Sequence, residues 1–113
     1  MSDWVVDLVE ELTKLGCECA EAEAATKLLE DNRKSVLAKI KLKFSHINSD
    51  AGRETEARAS DEFFEFNNTL SVARERSTIM RVRYNAQDML CRLRQTQASL
   101  KKSEINAQMA HHA

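Results

Sequence analysis

Three cysteines, three histidines and a large set of carboxylates are the groups in this chain that could do chemistry. Cys17 and Cys19 are two residues apart, so on a helix they point about 200° away from each other. They cannot share one metal while helical, and this is not the Cys-x-x-Cys spacing of a redox or zinc site. Cys91 falls near Asp7 when the chain is folded back on itself, more than a turn from either. Cys19 and Cys91 read as small buried apolar residues and Cys17 as an exposed one. His46 stands alone near a turn, with no nucleophile and carboxylate to form a relay. His111 and His112 lie in a C-terminal tail that reads as disordered. Glu18, Glu21 and Asp88 read as ion-pair partners of bases across the fold. The chain holds no glycine-rich phosphate loop, His-Glu-x-x-His pair or calcium loop. These readings predict no enzyme, no catalytic residue, no metal, no cofactor and no small-molecule substrate.

The elements that would position these residues are legible in the apolar spacing. Val5, Leu8, Leu12, Leu15, Cys19, Ala22, Thr26, Leu29, Arg33, Val36, Ile40, Lys43 and Ile47 recur at intervals of three and four. A second periodic run extends from about Ala59 to Ile105, and the 113 residues include two glycines and no proline. Such a pattern predicts an all-α chain, a long antiparallel helical hairpin of coiled-coil type. The reading is one domain over 1–113, with helix one over about 3–45, a turn over about 46–51, helix two over about 52–107 and a tail over 108–113. Ser2 or Asp3 would cap helix one, and Asn48, Ser49 or Asp50 would cap helix two. Gly16, inside helix one, marks a close approach of the two helices. A turn centred near residue 49 sets face to face residues whose numbers sum to about 98, so Leu8 meets Leu90 and Leu29 meets Leu70.

The net charge of -1 conceals four blocks. Residues 1–31 carry nine acids and two bases, and residues 32–49 carry five bases and no acid. Residues 50–65 carry six acids and two bases, and residues 66–102 carry eight bases and two acids. Each helix thus begins acidic and ends basic, which suits its dipole. Antiparallel folding also sets acid against base at both ends.

Helix two carries two apolar stripes. Ala59, Phe63, Phe66, Leu70, Ala73, Ser77, Met80 and Tyr84 form the first. Val72, Ile79, Val82, Ala86, Met89, Leu93, Thr96 and Leu100 form the second. Two stripes mean two neighbours, which predicts a homodimer in which two hairpins form a four-helix bundle. Trp4, Phe64, Val82, Met89, Leu93 and Leu100 are the candidate protein interface. An alternative reading places nucleic acid on the basic face of helix two, through Arg74, Arg81, Arg83, Arg92 and Arg94. A purely structural component, assembling without closed symmetry, is the third.

The stretch Arg53-Glu54-Thr55-Glu56-Ala57-Arg58-Ala59-Ser60-Asp61-Glu62-Phe63, with Val82-Arg83-Tyr84-Asn85-Ala86 and the polar helical tail, resembles small helical proteins of unassigned function encoded by bacteriophages and prophages. The resemblance spans about residues 50–105. It implies an accessory factor, an adaptor or inhibitor binding a host or phage protein, or a companion of recombination and packaging genes. No catalytic residues carry over from it. No apolar run reaches the roughly 18 residues of a membrane span, and Met1-Ser2-Asp3-Trp4 does not open a signal peptide. With an odd number of cysteines, this predicts a cytoplasmic protein (host cytoplasm for a phage product) without membrane contact.

Overall fold

The computed structural model describes residues 3–112, so Ser2, a candidate cap, and Ala113 lie outside the described residues. Three α-helices account for most of these residues: α1 (Asp3–Lys41), α2 (Asp50–Arg58) and α3 (Asp61–His112). A 3₁₀ turn over Leu42–Phe44 closes α1, and there are no strands among the described residues. The molecule measures 92 × 22 × 16 Å, with a radius of gyration of 25.6 Å. A compact chain of this length would have a radius of about 13 Å, so this is a rod.

Partner numbers fall along α3 as they rise along α1. Cys91 Sγ lies 3.8 Å from the Leu8 carbonyl, Thr26 Oγ1 donates to the Ala73 carbonyl at 3.1 Å, and Arg74 meets Glu30 at 2.9 Å. Lys43 pairs with Glu62 near the turn. These partners sum to 99–105, slightly above the 98 of the simple register. Two clusters form the core. Leu37, Ile40, Ala57 and Phe63 pack with Val36, Phe44 and Phe66 near the turn, and Cys19, Ala22 and Met80 pack with Tyr84 midway along. Leu70 is the most enclosed large side chain, at 2 % exposure. Thr26 takes a seam position without an unmet polar group, because its hydroxyl donates to the carbonyls of Ala22 and Ala73. Gly16 is a close approach: a Cβ there would meet the Tyr84 ring at 3.2 Å.

The second helical region, expected as one helix over about 52–107, is two helices. The Ser60 hydroxyl donates to the Ala57 carbonyl at 2.6 Å and accepts from the Phe63 amide at 3.3 Å. A serine that bonds its own backbone this way ends one helix and caps the next. The break turns Ala57 fully inward and leaves Ala59, assigned to the first stripe, exposed. At the other side of the turn, Ser49 caps α2 by accepting from the Gly52 amide at 3.0 Å. Arg53 ties the loop down by donating to the Ile47 carbonyl at 2.8 Å. Helix α1 stops four residues short of the expected 45. Helix α3 continues through 108–112, expected to be a disordered tail. Of the two seam bases, Arg33 lies over the Phe63 ring, 5.8 Å from its centroid, and Lys43 is exposed.

Replacing Leu70 with alanine should cost about 2–5 kcal/mol in urea unfolding, because it removes a fully buried side chain and leaves a cavity in the seam. Val72→Ala, two residues away on the outer face, should cost under about 0.5 kcal/mol in dilute protein. Equal losses at both positions would contradict this assignment of faces.

Candidate interaction surface

The groups with chemical potential stay apart. Cys17 is exposed, Cys19 is buried, and Cys91 is half-buried rather than fully enclosed. Cys91 is less covered than expected because few side chains close over this end of the seam. Burial pushes the Cys19 thiol above its usual range, and its Sγ donates to Glu23 Oε1 at 3.6 Å. His46 is exposed beside Phe44, with ring centroids 6.3 Å apart. Among the described residues, no three His, Cys, Asp or Glu side chains converge as a metal site would require.

Most of the candidate nucleic-acid contacts are engaged within the chain. Arg81 donates through Nε to Glu23 Oε1 at 3.0 Å and its guanidinium sits 5.8 Å from the Tyr84 ring centroid. Arg74 is paired with Glu30, and Arg92 with Asp88 at 3.1 Å. Arg94 donates to the Gln97 side chain at 3.5 Å, while Arg83 is exposed. Acids of α1 thus neutralise Arg74 and Arg81, while Arg92 is neutralised by Asp88 within α3 itself. The hydrogen bond from Arg81 holds the Glu23 carboxyl below its ordinary range, and Lys41 does the same for Asp50 at 2.9 Å.

The apolar candidates all face outward. Trp4, Phe64, Val82, Met89, Leu93 and Leu100 are between 49 % and 66 % exposed, as are Val72 and Met109; Ile79 is 43 % exposed. Along α3, Val72, Ile79, Val82, Ala86, Met89, Leu93, Thr96 and Leu100 keep a strict seven-residue register. The inner face of the same helix is Phe63, Leu70, Met80, Tyr84 and Cys91. At about 100° per residue, the two stripes are centred roughly 170° apart. Helix α3 thus lies on α1 with one face and presents a second apolar seam on nearly the opposite side. Sequence spacing found this outer seam. It missed the exposed Val6, Val9, Leu28 and Leu42, which belong to no stripe of sufficient length.

The open end has its own feature. Trp4 and Arg94, expected to face each other, line the same two grooves. One of these, about 230 Å³, is walled by Val5, Leu8, Val9, Cys91 and Ala98. No residue between 3 and 18 or beyond Met80 is buried among the described residues. The end of the rod that carries most of the outward apolar side chains is therefore also the end with the thinnest core.

Fold and surface together define an elongated all-helical protein with an uncovered heptad face. No helix is long and apolar enough to cross a membrane among the described residues. No family model, curated protein or solved structure matches the chain.

Two outcomes follow. Glu23 and Asp50 hold their charge more tightly folded than unfolded, so unfolding takes up protons in acid. Their contribution is complete above the ordinary carboxyl range and lost as pH falls through the depressed values. The Tm should therefore drop on acidification, and Glu23→Gln should flatten part of that drop while lowering the Tm slightly at pH 7. A parallel, unflattened curve would show the Arg81 pairing to be irrelevant to stability. Separately, a maleimide should label Cys17 at once, Cys91 more slowly and Cys19 only on unfolding; rapid labelling of Cys19 would contradict the packing of Tyr84 and Met80 around it.

Proposed function

We propose that this chain is a non-enzymatic accessory protein, an antiparallel helical hairpin that acts by binding protein and that pairs with a second copy of itself. One observation carries this reading: the outward seam from Val72 to Leu100 keeps coiled-coil spacing with nothing over it. Heptads that regular are the pattern of a helix made for another helix. The exposed Trp4 at the open end, beside an apolar groove, supplies a rigid aromatic anchor of the kind that dominates protein interfaces. An adaptor or inhibitor acting in the cytoplasm, phage-encoded as the resemblance over residues 50–105 suggests, fits both features. A nucleic-acid role has less support, because Arg74, Arg81 and Arg92 are already paired with carboxylates. A structural role in an open assembly would use the same seam.

Affinity capture from a bacterial lysate, with and without nuclease, tests the reading. A stoichiometric protein partner that survives nuclease and is lost in Trp4→Ala is the expected result. Recovery that vanishes with nuclease, or duplex binding at low salt that weakens steeply as salt rises, would put the nucleic-acid reading first.

A further inference from the structure

Resting on the pairing just proposed, we infer that the second copy docks on the outer seam of α3 with its own α3 running in the opposite direction, centred between Gln87 and Asp88. This sets Ile79 against Thr96, Val82 against Leu93 and Ala86 against Met89 of the second copy. The arrangement is α1, α3, α3, α1 side by side, with each α3 held between two neighbours. A closed four-helix square needs each helix to turn toward neighbours at about a right angle. Here the two stripes of α3 are roughly 170° apart, which directs the second copy to the back of α3 and away from α1.

Three observations choose the occupant and its direction. The first is area: Val72, Ile79, Val82, Met89, Leu93 and Leu100 together expose roughly 600 Å², so two copies covering all of it would bury about 1,200 Å², the lower bound of a specific interface. The second is charge. In-register parallel pairing would put Glu75, which takes a seam position, against Glu75 of the second copy. Antiparallel pairing sets Glu75 against Leu100, an apolar side chain followed by Lys101. It also sets the flanking Arg83 near Leu90, Arg76 near Gln97 and Arg92 near Asn85, with no like charges opposed; Lys102, two residues on from Leu100, points to the α1 side of the helix and takes no part. The third is length. On the register that sets Cys91 beside Leu8, Asp3 lies level with residue 96, so about 16 residues of α3 extend past the start of α1. Antiparallel docking lays that overhang along the first turns of the other α3, beside the exposed Phe64. Parallel docking leaves both overhangs together, covered only by each other. Trp4 stays outside the seam, free for a different protein.

Spin labels at Lys102→Cys, in full-length chain carrying Cys17→Ser and Cys91→Ala, test this by electron–electron distance measurement. Antiparallel docking places position 102 opposite position 73, so the two labels should be at least about 44 Å apart, 29 residues at about 1.5 Å each along the rod. A distance under about 35 Å, the spread of two outward labels on helices about 10 Å apart, would establish parallel pairing and overturn the inference while leaving the dimer intact. Loss of dipolar signal, with light scattering giving the 12.9 kDa chain mass, would overturn both this inference and the pairing on which it rests. Val82→Glu with Leu93→Glu should abolish the dipolar signal without changing helix content; an unchanged signal would place the interface elsewhere and also refute the inference.

Discussion

Two helices lying side by side can hide only one stripe of each, and that constraint governs the rest of this molecule. The stripe from Phe63 to Cys91 is spent on α1. Every apolar side chain of α3 outside that stripe stays in solvent unless another chain covers it. A bundle of three or four helices within one chain would have enclosed Val82 and Leu93, but 113 residues in two long rods cannot. Elongation, a thin core and an uncovered heptad face are therefore consequences of a single packing choice.

Charge and packing divide the work of holding the rod together. Near the turn, Leu37, Ile40, Ala57 and Phe63 make a continuous apolar cluster, so the fold there rests on burial. Toward the open end the buried side chains run out after Cys19 and Met80. There the cross-helix contacts are Gln87 and Cys91 near the Leu8 carbonyl, both long. Exposed ion pairs such as Glu30 with Arg74 contribute modestly to stability. Their larger effect is to fix direction and register, since a shift of a few residues would set Arg74 and Arg81 against other bases or neutral side chains. The open end is accordingly where a second chain would stabilise the rod most.

The helices were legible because their signal is repetition. Intervals of three and four over some 40 residues leave no other secondary structure open, and the four charge blocks pointed to the antiparallel order that the Glu23, Glu30 and Lys43 contacts follow. The interruption at Ser60 was not read from periodicity, because a break of two residues scarcely disturbs an apolar repeat. Its signal was present as a serine followed by Asp61 and Glu62, the composition of a helix start. The sharper miss was Ala59 for Ala57. Only the rotation introduced by the Ser60 bonds decides which alanine faces Leu37 and Ile40.

The sequence by itself determined that the chain is helical, that its helices are long, and that α3 carries two apolar faces. Those are properties of local spacing, and spacing is written in the chain. Which face meets α1 was decided only by tertiary structure. Both stripes of α3 suit a helical neighbour, and the choice falls to the one whose pairing also brings Tyr84 over Gly16 and Arg81 to Glu23. Once α1 occupies that face, the other is left outward with its register intact.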